Sequence, residues 1–63
     1  MTISFDYNGK ARLVRVEKAR ADYVQGYNLN DSDRPAATYS IAKMANVKVV
    51  EGHNDWIAKM LGL

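Results

Sequence analysis

Cysteine is absent from this 63-residue chain, so no disulfide can brace it. Histidine occurs once, as His53, and without thiolates a structural zinc site lacks its usual ligands. The four glycines, at 9, 26, 52 and 62, are too dispersed for a phosphate-cradling loop. No apolar run approaches the ~18 residues of a membrane-crossing helix, which argues against a membrane partner. The opening Met1–Asp6 has neither a basic start nor a long apolar stretch, so it does not read as a secretory leader. A cytoplasmic location is the default expectation.

What is present is the composition of a folded domain. The hydrophobic fraction is 48% and the charged fraction 25%, both near globular averages. The length suffices for a single domain, residues 1–63, which buries only about 60% of its unfolded surface. A small barrel suits so thin a margin, because closing a sheet removes its edges.

The net charge is only +2, but it is unevenly spread. Residues 10–20 hold Lys10, Arg12, Arg15, Lys18 and Arg20 against Glu17, a local charge of +4, and the remainder carries −2. Such a strip can attract polyanions. An ordinary edge strand that carries Lys and Arg against aggregation has the same look.

Ile3, Phe5 and Tyr7 alternate with Ser4 and Asp6, the period of a first strand. Asn8-Gly9 then favours a tight hairpin turn. A second strand follows over about Lys10–Glu17. Arg12, Val14 and Val16 share one of its faces and Leu13, Arg15 and Glu17 the other. Since neither face is purely apolar, this strand is expected at an edge, or bent by a bulge that resets the parity. Tyr23 to Leu29 reads as a third strand with Tyr23, Gln25, Tyr27 and Leu29 on one face. Gly26 in its middle suggests a kink or a close neighbour. Asn30–Pro35 is a loop by composition. Thr38–Ile41 and Val47–Val50 complete five short strands, with a helical turn or bend at 42–45 between them. After Gly52, Asn54 or Asp55 can cap a helix over about 54–62, with Trp56, Ile57, Met60 and Leu61 on one stripe. That helix is too short to stand alone and must dock, with Trp56 as a docking residue. The pattern predicts a mostly β domain: a five-stranded Sm-like or SH3-like barrel over about 2–50, followed by a short C-terminal helix.

No catalytic constellation is visible. His53 lies in the polar run Gly52-His53-Asn54-Asp55 and meets no nucleophile in a strand-turn-helix setting. Asp31 and Asp33 resemble the start of a calcium loop, but the later glycine and closing glutamate are missing. They read better as turn-capping side chains. Hence no enzyme, metal or cofactor is expected. Four tyrosines, at 7, 23, 27 and 39, are many for this length. Exposed beside cations they would stack on single-stranded nucleic acid. More commonly a strand tyrosine buries its ring and leaves its hydroxyl at the rim.

Several segments, taken in order, resemble the WYL domain, an Sm-like barrel of bacterial and phage regulators. Ile3-Ser4-Phe5-Asp6-Tyr7-Asn8-Gly9-Lys10 is similar to its first strand and hairpin, and Arg12–Glu17 to its second strand. Gly26-Tyr27-Asn28-Leu29 resembles the step that gives the family its name. Thr38-Tyr39-Ser40-Ile41-Ala42-Lys43-Met44 resembles its Thr-Phe-Arg-Leu-Asp-Arg-Ile stretch, and Val47–Val50 its closing strand. The likeness spans about residues 3–50. Gly26 stands where the family has tryptophan, Ala37 where an arginine is common, and Lys43 at a second, often arginine, position. The helix-turn-helix domain that commonly accompanies the barrel is not expected within these 63 residues. The resemblance implies a regulatory binding module for nucleic acid or a nucleotide-like anion, acting on a partner. Its candidate contacts are Arg12, Arg15, Tyr27, Arg34 and Lys43, with Tyr27 stacking on a base and the cations holding phosphate oxygens. The competing expectation is a protein-interaction module, or a homo-oligomer, that uses the terminal helix or a strand edge.

Overall fold

The computed structural model describes residues 1–30 and 36–63. Five antiparallel strands form one sheet: β1 (Thr2–Tyr7), β2 (Lys10–Ala19), β3 (Tyr23–Asn28), β4 (Ala37–Ser40) and β5 (Ala45–Glu51). A 3₁₀ turn (Ile41–Lys43) joins β4 to β5, and α1 (Asp55–Met60) follows. The strands lie in the order β4-β3-β2-β1-β5, a meander whose last strand returns beside the first. The expected loop at 30–35, with Arg34 and the aspartates at 31 and 33, lies outside the described residues from position 31 on.

The β1–β2 turn forms as its dipeptide demands, with Asn8 at φ 52° and Gly9 at φ 77°. Alternation then sorts the side chains. Ile3 and Phe5 on β1, Val14 on β2, and Tyr39 on β4 make the buried cluster. Met1, Tyr7, Val16, Met44, Val47 and Leu61 pack around it. β2 is not an edge strand but the central one, and it resolves its mixed faces with a bulge. Val16 opposes Gly26, yet Lys18 opposes Gln25 and Ala19 opposes Val24, so Glu17 is the extra residue. Ala19 thereby turns inward and is buried, although plain alternation would send it outward.

The sheet is strongly curled. Flat, β1 and β4 would stand three strand spacings apart, about 14 Å. Instead the Tyr39 ring lies 5.2 Å from those of both Phe5 and Tyr7, edge to face. The Ser40 backbone N–H also donates to the Tyr7 hydroxyl at 3.1 Å. Gly26 permits the bend: a Cβ built there would stand 2.2 Å from the Arg15 carbonyl oxygen. β4 and β5 remain the two edges, and among the described residues no ladder joins them into a closed barrel.

The helix begins as its cap predicts, with the Asn54 side chain accepting from the Ile57 N–H at 3.1 Å. Its docking differs from expectation. Ile57 and Met60 are half-buried and Leu61 reaches the core cluster, but Trp56 is 59% exposed and does not reach that cluster. Two turns wrap too little of the helix to cover both sides of the stripe.

Candidate nucleic-acid interface

Because Val24 and Gly26 point into the core, Tyr23, Gln25 and Tyr27 must stand on the outer face of β3. The ladders bring neighbours to each. Arg15 opposes Tyr27, Lys18 opposes Gln25, Gln25 opposes Thr38, and Tyr23 opposes Ser40. Cross-strand partners share a face, so two cations, two tyrosines and a carboxamide occupy one outer surface of β2–β3–β4.

Arg15 and Tyr27 are in contact. The guanidinium carbon lies 5.5 Å from the centre of the ring, and the ring is 40% exposed. A cation over a ring at this range is attracted by the ring quadrupole, by about 0.5–1 kcal/mol at an exposed site. Glu17 also reaches Arg15, with 3.3 Å between Oε1 and Nε, and offsets part of its charge. Between the two tyrosines, Gln25 Nε2 donates to Thr38 Oγ1 at 3.2 Å, which leaves Oε1 and the second N–H of the amide available.

The other expected contacts are placed differently. Arg12 shares the inward face of β2 with Val14 and opposes Phe5. It is half-buried, and it lines a cavity of about 330 Å³ with Asp6, Asn46 and Lys48, on the β1–β5 side of the sheet. Lys43 is exposed in the 3₁₀ turn, which is tied to the Tyr23 end of β3 by the Ile41 N–H to Asp22 carbonyl bond. Tyr27 lies four residues further along that strand, about 13 Å away. Arg34 is outside the described residues. The basic strip at 10–20 is therefore divided, with Arg12 inward and Arg15 and Lys18 outward. Lys18 escaped the sequence reading for a definite reason: by simple alternation it belongs with Arg12, and only the bulge at Glu17 turns it toward Gln25. Tyr23 and Gln25 were legible, since their parity with Tyr27 already put them on one face.

The remaining tyrosines are structural. Tyr39 is buried, and Tyr7 is half-buried with its hydroxyl bonded to Ser40. A second surface feature lies at α1 and β5: a groove of about 660 Å³ lined by Val49, Asp55, Trp56, Ala58, Lys59 and Leu63. His53 Nε2 touches the Asp55 carboxylate at its rim.

Fold and surface together define a small, curled, five-stranded β domain with a short C-terminal helix and a mixed cationic and aromatic sheet face. No protein-family model matches the chain, and no curated protein or solved structure is detectably similar to it. Among the described residues, no helix is long and apolar enough to cross a membrane, and no cluster of three or more acidic or histidine side chains could hold a metal ion.

Proposed function

We propose that this chain is a non-enzymatic regulatory binding module whose outer β2–β3–β4 face takes single-stranded nucleic acid or a nucleotide-like anion. The observation that carries this reading is the Arg15 guanidinium set over the exposed Tyr27 ring, 5.5 Å from its centre. Tyr23, Gln25 and Lys18 lie beside this pair on the same face. Rings and guanidinium planes accept unstacked bases without regard to sequence, and each stacked base contributes about 1–3 kcal/mol. Arg15 and Lys18 hold the phosphates. The ordered resemblance of residues 3–50 to the WYL domain supports the same function. The contact set differs from the one that resemblance implies: Arg15 and Tyr27 stay, Lys18, Tyr23 and Gln25 join them, Lys43 lies by the Tyr23 end of the face, and Arg12 leaves.

Anisotropy of labelled single-stranded RNA and DNA across a salt series tests the proposal. Two phosphate contacts give a slope of log affinity against log salt of about −1.4. Tyr27→Ala weakens binding by about 1–3 kcal/mol. Absence of binding at low salt, or binding that Arg15→Ala and Tyr27→Ala leave intact, rejects the proposal.

A further inference from the structure

Gln25 sits midway between Tyr23 and Tyr27 on the outer face of β3, two residues and about 6.5 Å from each. Its ladder neighbours are Lys18 on one side and Thr38 on the other. A glutamine on an open sheet face ordinarily turns freely. This one is half-buried, and its Nε2 donates to Thr38 Oγ1 at 3.2 Å. That bond sets the direction of the amide and uses one of its two N–H donors, so one N–H and the Oε1 acceptor remain. The groups around it carry no sequence information of their own. Arg15 and Lys18 attract any phosphate, and a tyrosine ring stacks on any base. A preference among bases has to come from hydrogen bonds to base edges. The Gln25 amide is close enough to either ring to meet the edge of a base lying against it.

We propose that Gln25 is the base-reading residue of this face, that it selects adenine, and that Thr38 is its positioning residue. The inference rests on the nucleic-acid reading of the surface and names what that surface prefers. A glutamine amide pairs bidentately with adenine: its oxygen accepts from the 6-amino group, and its N–H donates to the adjacent ring nitrogen. Gln25 keeps one acceptor and one donor, the pair this contact needs. In the same pose uracil sets its O4 against Oε1, acceptor against acceptor. The amide cannot turn over to suit uracil without losing its bond to Thr38. Cytosine offers a similar donor and acceptor but a smaller ring for tyrosine to stack on, so it ranks second.

Labelled single-stranded homopolymers of adenine, cytosine and uracil, equal in length at about eight nucleotides, are titrated by anisotropy. Oligo(A) binds about tenfold tighter than oligo(U), with oligo(C) between them. Gln25→Ala brings oligo(A) down to the oligo(U) affinity and leaves oligo(U) unchanged, a result that loss of folding would not give. Thr38→Val keeps the β-branched shape but removes the acceptor. It shrinks the ratio of the two affinities, again with oligo(U) unchanged, while Thr38→Ser preserves the ratio. If no oligomer binds at low salt, the surface itself fails and this inference with it. If all three bind equally, or the preference survives Gln25→Ala, the stacking surface stands and the role of Gln25 is overturned. Tighter binding of oligo(U) or oligo(C) than of oligo(A) equally overturns it.

Discussion

The two ends of the chain are built on different principles. Every buried residue lies between Thr2 and Tyr39, while Ile41 to Leu63 contains none and is half-buried at best. The first stretch forms the β1–β4 meander, whose faces are sorted by alternation and locked by the Phe5–Tyr7–Tyr39 rings. The second lays one strand and two helical turns against that body and keeps Trp56, Val50 and Leu63 in solvent. A domain of this size has roughly 3–9 kcal/mol of stability in total. The difference teaches that the meander holds the fully buried core, while the C-terminal stretch adds only partly buried side chains, Met44, Val47 and Leu61, to it.

The sharpest way to break this contrast is Ile3→Ala. Removing a fully buried side chain costs about 2–5 kcal/mol and takes much of the stability, read as a fall in the urea midpoint. Next is Gly26→Ala, where the added methyl meets the Arg15 carbonyl. The β2 backbone must shift, at about 1–3 kcal/mol by thermal melting. Tyr7→Phe removes the acceptor of the Ser40 N–H that ties β4 to β1 across the curl. Its cost is about 1 kcal/mol, with faster amide exchange at Ser40. Asn54→Ala strips the helix cap and costs α1 about 1 kcal/mol, which lowers helical dichroism while the sheet midpoint barely moves. Smallest is Trp56→Ala, within about 0.5 kcal/mol for the isolated chain in equilibrium melts. If it unfolded the protein as Ile3→Ala does, the division between the two stretches would be false.

A similar contrast holds between the two faces of β3. Val24 and Gly26 were legible as one face and Tyr23, Gln25 and Tyr27 as the other, since alternation needs no partner to be read. The hairpin at Asn8-Gly9, the strand types and the Asn54 cap were equally plain, because each depends on local backbone preference. Lys18 was not legible, because its direction depends on the extra residue in β2, and a bulge exists only relative to the opposing strand. The inward direction of Arg12 was not legible for the complementary reason: nothing in its own segment distinguishes it from Arg15 except which face the core takes. Lys43 was grouped with Tyr27 by resemblance, and the fold puts it in the turn next to the Tyr23 end of β3. The two amphipathic turns after Gly52 announced a helix, but how much of its stripe would be covered depends on what lies beneath it.

By itself, then, the order of residues determined a disulfide-free, mostly β chain with a hairpin at Asn8-Gly9 and a capped terminal helix. These properties follow from torsional preference and from the period of apolar side chains, which act over a few neighbouring residues. Tertiary structure alone decided that Arg15 and Lys18 share a surface with Tyr27, that Arg12 does not, and that Trp56 faces solvent. Each of those outcomes is set by how far the sheet curls and where its register slips, and both are properties of strands meeting rather than of any one strand.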